Sequence, residues 1–556
     1  MKLRLVFFSL IFIVLLLLST AGAGLYWILQ QSPLFLSQNN TSASSAAAMF
    51  VPRQAALMVS LLANPDRLEL VQELKTPLGK RGRIQQEINQ VKNNLLANTG
   101  LDYRQDIQPW LGSQVTFAIT SLDFDRDPEN GIRPGYLLAL KAQDRELAKE
   151  FLQLSFSKQA IAGTADLVFD TYKGIDLISK RPLDSDSETN TFASAVVGDF
   201  VLLANHPQVL RNAINNVQVP DLNLESAPFY QEALKTIEEP EIGLGFFNLP
   251  VTSAWIGSQQ TPEAPEAEQM LVVGLSLKPE GIVAETALIG VGEQGDRPPT
   301  LSQPIGALQY IPSSSILTIA GTDLNQLWQQ IQAGLDPATP VAQLINRSLI
   351  SLQKSFPLDL PQDIFSWVTG EYALSLLPDG DNQGIDWIFV AEEKEQEKAE
   401  AAIAYLDTIA TEQKLNQSNF LLGENEVTAW TEIPNASGPK EISLEQEIKG
   451  VHLQLDKYQI LGTSIDALSA TLEGENNSIL DRETFGNAIA ALPTENDGYF
   501  YLDWKQGRSI LEGKFSILRL IEFTLQPLIN YLDKFTIASQ GTENGIRHGT
   551  VFLNLD

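Results

Sequence analysis

Hydrophobic residues fall into short blocks and alternating runs, divided by turn-forming residues. Segments 115–119, 136–140, 372–376 and 387–390 read as strands. Elsewhere the spacing is helical: Leu68, Val71, Leu74, Ile84, Ile88, Val91 and Leu95 form one stripe, and Leu324, Leu327, Trp328 and Ile331 another. Further helices are predicted at 144–154 and 395–409.

The pattern occurs twice. Phe50-Val51-Pro52 leads into an apolar stretch at 55–59, and Tyr310-Ile311-Pro312 into one at 315–319. Gln105-Asp106-Ile107 followed by Trp110 returns as Gln362-Asp363-Ile364 followed by Trp367. Gly198-Asp199-Phe200 matches Asp456-Lys457-Tyr458, and Gly245-Phe246-Phe247 matches Gly498-Tyr499-Phe500. Glu280-Gly281-Ile282 and Asn544-Gly545-Ile546 mark hairpin turns near the end of each copy. The repetition predicts two tandem copies, 49–290 and 305–556, around a Gly- and Pro-rich linker at 291–304. Strands joined directly by turns predict an α+β class: two tandem copies of a mixed or antiparallel sheet, with helices packed on one face. The tryptophan signature reads as a structural corner, since burying an indole contributes about 2–3 kcal/mol and the Asp can cap a turn.

Lys2 and Arg4 precede an uncharged run at 5–29. As a helix it would span roughly 37 Å, enough for a ~30 Å hydrocarbon core. The expectation is an uncleaved transmembrane signal-anchor over 1–29, cytoplasmic at its basic end. Ala21-Gly22-Ala23 supplies the rival reading of a cleaved signal peptide. Residues 30–48, rich in Ser, Asn and Ala, read as a flexible tether. The bulk of the chain is then expected on the periplasmic or thylakoid-lumen side.

Composition narrows the chemistry. The 556 residues carry 38 basic and 68 acidic side chains, net −30, which disfavours nucleic-acid binding. There is no cysteine, which removes disulfides, thiolate metal sites and thiol nucleophiles. His206, His452 and His548 lack metal spacing, and the bland reading is isolated or satisfied histidines. By the repeat, His206 matches Ser464 and His548 matches Ala284. Gly290-x-Gly292-x-x-Gly295 resembles a dinucleotide fingerprint, but Asp296-Arg297-Pro298-Pro299 cannot open the helix that pyrophosphate requires. No P-loop is present, so no nucleotide partner is expected.

Two acidic loops remain. Asp123, Asp125 and Asp127 lie in one, Asp379, Asp381 and Asp386 in the other. Alternating carboxylates can ligate calcium. However, the twelfth positions are Pro134 and Val390 rather than glutamate, and Asp, Asn and Gly are what hairpin turns demand. Plain turns are favoured; no catalytic or cofactor-binding residue is assigned.

The anchor, the tether and the repeated Pro-strand-helix-(Gln-Asp-Ile-x-x-Trp)-strand pattern resemble a bacterial, especially cyanobacterial, family known only as a domain of unknown function (number 3352). The resemblance implies a prokaryotic envelope or thylakoid setting and supplies no catalytic residue. The leading expectation is a non-enzymatic, membrane-anchored binding or scaffold module with a protein partner outside the cytoplasm. The alternatives are a carrier of apolar ligands (lipid or pigment) and a hydrolase with a site between the copies.

Overall fold

The computed structural model describes residues 45–62, 102–127, 131–161, 166–181, 192–237, 240, 242–252, 269–278, 281–290, 301, 304–334, 359–379, 384–432, 447–473, 477–514, 532–543 and 545–555. The chain divides into two compact units, Met1–Gly290 with Thr524–Asn530 and Val291–Phe523 with Tyr531–Asp556.

The first unit contains β1 (Leu57–Leu61), β2 (Leu111–Ser121), β3 (Gly135–Ala142), α1 (Arg145–Ile161), β4 (Asp166–Tyr172), β5 (Ile175–Arg181), β6 (Phe192–Val197) and β7 (Phe200–Ala204). It continues with α2 (Pro207–Gln218), α3 (Pro228–Thr236), β8 (Gly243–Asn248), β9 (Met270–Lys278) and β10 (Gly281–Ile289). Its ladder runs β4-β5-β6-β7-β3-β2-β1-β8-β9-β10, antiparallel throughout.

The second unit contains β11 (Leu317–Thr322), α4 (Leu324–Gly334), β12 (Glu371–Pro378), β13 (Ile385–Glu392), α5 (Gln396–Glu412), β14 (Asn416–Leu422), β15 (Asn425–Glu432), β16 (Glu447–Leu455) and β17 (Tyr458–Gly462). Then come α6 (Ile465–Leu472), α7 (Glu483–Ala490), β18 (Gly498–Asp503), α8 (Trp504–Lys514), β19 (Leu532–Glu543) and β20 (Ile546–Leu555). Its ladder runs β14-β15-β16-β17-β13-β12-β11-β18-β19-β20, again antiparallel throughout.

These ladders correct the expected class. In place of a two-copy α+β fold with helices on one face behind a transmembrane helix, the described strands of each unit make one ten-stranded, wholly antiparallel ladder. Tight turns enforce the antiparallel order: Lys173 and Gly174 both have positive φ (50° and 79°), as the two-residue turn between β4 and β5 requires. Helices cover both faces. In the first unit, Ala148, Leu152 and Phe156 of α1 pack on Leu140, Val201 and Leu203. On the opposite face, Val209, Leu210, Ala213 and Ile214 of α2 pack on Leu137, Ala139, Phe200 and Leu202. The β3-α1-β4 crossover travels toward one edge of this ladder and the β7-α2-α3-β8 crossover toward the other.

The anchor expectation is also corrected. No helix among the described residues is long and apolar enough to cross a membrane. The run at 5–29 and tether residues 30–44 lie outside the described residues, and no described helix supports single-pass topology, a membrane partner or the periplasmic or lumenal placement. The end of the expected tether is itself built into the fold. Ser45 is buried, and Ala46–Phe50 forms a one-turn helix that buries Ala47, Ala48 and Phe50. The Ser45 hydroxyl accepts from Ser60 Oγ (2.7 Å) and Gln114 Nε2 (2.5 Å), and Ser60 pairs with Thr116 at 2.8 Å. The first-copy helix expected over 68–95 and the glycine run 292–295 lie outside the described residues.

Each tryptophan signature sits on a single wide helical turn. Asp102 accepts from the Gln105 N–H (2.9 Å) and Asp106 reaches back to the Asp102 N–H (2.8 Å). Asp359 and Asp363 repeat this at 3.4 and 2.8 Å. Trp110 is buried and donates from Nε1 to the Asp106 carbonyl (2.6 Å), which pins the turn to the strand that follows. Trp367 is buried as well, but its Nε1 finds no acceptor among the described residues.

Candidate functional site

Asp123 and Asp125 meet, but neither acidic loop gathers three carboxylates among the described residues. Asp123 Oδ1 accepts from the Arg133 N–H (3.4 Å), and Asp125 accepts from the Asp127 N–H (3.3 Å) and faces the Arg133 guanidinium at 3.6 Å. Burial, and then a hydrogen bond with Asp125, pushes the Asp123 carboxyl above the usual range. In the other loop Asp386 points to the start of α6, where it accepts from Thr463 Oγ1 (2.7 Å) and Ser464 Oγ (2.8 Å). Asp379 lies over Gly384, and Asp381 lies outside the described residues. No group of three or more His, Asp or Glu that could hold a metal ion occurs among the described residues.

His206 caps a helix. Its Nδ1 accepts from the Gln208 N–H (3.1 Å) at the start of α2, and its ring stacks on Phe124 at 4.4 Å. Burial holds its pKa below the ordinary value. Ser464, its counterpart by sequence, caps α6 by accepting from the Ala467 N–H (3.1 Å). Two different side chains thus fill one role.

The densest polar cluster centres on Asp407 of α5. Its Oδ1 accepts from Trp430 Nε1 (2.8 Å) on β15 and faces His452 Nε2 (3.1 Å) on β16. Its Oδ2 accepts from Gln417 Nε2 (3.3 Å) on β14. One carboxylate therefore ties three successive strands to the helix above them. With the Nε2–H tautomer of His452, all three contacts are donations to this one carboxylate. Gln417 is directly opposite Trp430, and Trp430 directly opposite Gly450, so all of them share one face. The indole lies flat over Gly450: a Cβ there would come within 2.7 Å of Trp430 Cε3.

The first unit is built otherwise at the same place. Along α1 the inward stripe is Ala148, Leu152 and Phe156, and Phe156 meets Phe192 at 6.1 Å between ring centroids. Along α5 the buried stripe is Ala399, Ile403, Leu406 and Ala410, and four residues after Ile403, where Phe156 follows Leu152 in α1, stands Asp407. A second exchange of the same kind lies on the opposite face. Phe50 and Phe200 meet edge-on at 5.2 Å, as do Tyr310 and Tyr458. The tyrosines add bonds to Asp456 (2.7 Å) and Glu371 (2.8 Å). Burial, then the bond to Asp456, pushes the Tyr310 hydroxyl up to about 12. The second unit thus carries fixed polar networks where the first is apolar.

Sequence reasoning singled out only His452 from the cluster, as an isolated histidine, and assigned no role to Asp407, Gln417 or Trp430. The available signal was an aspartate on the apolar stripe of an amphipathic helix, which must find donors or be expelled to water.

Beside the cluster lies the outer strand of the second unit. β14 pairs with β15 over seven consecutive positions with no bulge, and among the described residues it has no partner on its other side. Gln417, Asn419 and Leu421 are exposed, Leu421 to 71%. The corresponding outer strand of the first unit, β4, exposes Phe169 to 70%.

A family profile described as "Protein of unknown function (DUF3352)" matches residues 10–555. No curated protein matches. A solved structure described as "Structure of crystal form III of TP0453" aligns at 9% identity over 46% of this chain and 83% of that one, with a TM-score of 0.23. That likeness is too slight to carry an argument.

Proposed function

We propose, for a chain that belongs to the DUF3352 family of proteins of unknown function, a non-catalytic role: a binding or scaffold module that engages a protein partner through the outer hairpin of its second unit, β14–β15. The observation that carries this reading is a strand edge that no described strand covers, tied to α5 through Asp407. A strand edge presents unpaired backbone donors and acceptors, which favour another extended chain. A brace between helix and hairpin lowers the ordering cost of binding. The Asp407–His452 pair has the form of a base with its orienting carboxylate. Its bonds are spent on this brace, and no hydroxyl among the described residues meets the second ring nitrogen. No observation favours the apolar-ligand carrier.

The test is cross-linking of the full chain in its native cells, followed by mapping of the linked peptides. Links from residues 416–432 to a defined protein, lost when Leu421→Lys is introduced, are expected. A cross-link map with no partner at this hairpin would sink the reading.

A further inference from the structure

Resting on the binding role just proposed, we infer that β14 takes up an extended, basic segment of a partner protein as an added antiparallel or parallel strand. Three observations carry it. First, the edge lacks the usual protection. Natural edge strands carry charges, prolines or bulges that stop other chains from pairing with them. β14 reads Asn-Gln-Ser-Asn-Phe-Leu-Leu, with no charge and no proline, and its ladder with β15 is regular from end to end. The outer strand of the first unit differs: β4 carries Asp166 and Asp170, and Asp170 is paired with Arg211 at 2.8 Å.

Second, the strand is fixed in place. Gln417, Trp430 and His452 hold β14, β15 and β16 to α5 through one carboxylate, so an incoming strand meets a template that is already ordered. Main-chain bonds would supply affinity, and alternate side chains would lie beside Gln417, Asn419 and Leu421 on one face.

Third, the surroundings select the sign of the partner. Residues 395–432 contain eight acidic side chains and two lysines, a local balance of −6 (2 − 8). Glu424 and Glu426 are exposed in the turn and strand next to β14. A second copy of this chain, itself at net −30, would be repelled, as would nucleic acid. A segment with lysine or arginine at alternate positions is complementary in both backbone and charge.

The experiment uses the full chain and a fluorescein-labelled peptide, Thr-Lys-Val-Lys-Val-Lys-Thr. Its controls are the glutamate-for-lysine version and a version with proline at the central position. Anisotropy measures affinity, and hydrogen exchange reads the amides of residues 416–422. The basic peptide is expected to bind, to slow exchange along β14, and to weaken by about tenfold or more with Leu421→Lys or Asn419→Pro. If Asn419→Pro unfolds the hairpin, Leu421→Lys and the exchange data still decide. Equal binding of the proline peptide, or binding without protection of β14, would show attraction by charge alone and overturn the inference. So would no binding, or binding of neutral phosphatidylcholine vesicles at Leu421 instead. Such failures leave hairpin cross-links to a folded partner standing, so the broader binding role is judged separately.

Discussion

His206 shows how much depends on one nitrogen. Its Nδ1 must be unprotonated to accept the Gln208 N–H, and burial depresses its folded pKa below the ordinary 6.5. The unfolded chain therefore takes up a proton before the folded one does. This contribution is fully present above pH ~6.5 and is lost as pH falls through the lower folded value. His206→Ser, which copies the cap at Ser464, should keep the helix start and remove this part of the acid sensitivity. Melting temperatures from pH 7.5 to pH 5 check it: the wild type should lose more than the variant, and identical slopes would refute the assignment. The histidine itself was visible in the sequence, and so was its match to Ser464. Its capping role was not, because a cap depends on where the helix begins to within one residue.

At the scale of elements, the tryptophan corners and the hairpin turns were legible because they are written in local residues such as Asp102, Asp106, Lys173 and Gly174. The helix arrangement was not, because the face a helix covers depends on contacts with strands far from it in sequence. Yet β3 and β7 carry nearly unbroken apolar runs, Tyr-Leu-Leu-Ala-Leu and Phe-Val-Leu-Leu-Ala, the mark of strands buried on both faces. The Asp407 cluster was illegible for another reason: its four members come from four elements and share no spacing. Its packing makes a sharp prediction. Gly450→Ala would drive a Cβ to 2.7 Å from a rigid indole and should cost about 1–3 kcal/mol. Gly486→Ala in α7, where nothing lies within 4 Å, should be neutral or stabilise by up to ~1 kcal/mol. Urea unfolding compares them, and a Gly450→Ala midpoint at or above that of Gly486→Ala would contradict the account.

Over the whole molecule, charge sets the balance. A net −30 makes the folded state repel itself, and added salt screens that repulsion. The melting temperature should therefore rise between ~20 mM and ~300 mM sodium chloride at pH 7.5. A fall would mean that pairs such as Arg482–Asp503 and Lys457–Glu392 outweigh the excess. The buried knot of Ser45, Ser60, Gln114 and Thr116 has a practical consequence. A protease acting anywhere before Ser45 would leave the first unit's hydroxyl network and Phe50 in place. A cut a few residues later would strip a side chain from the core. The latest safe start for a recombinant first unit is thus fixed by a serine, several residues upstream of its first strand.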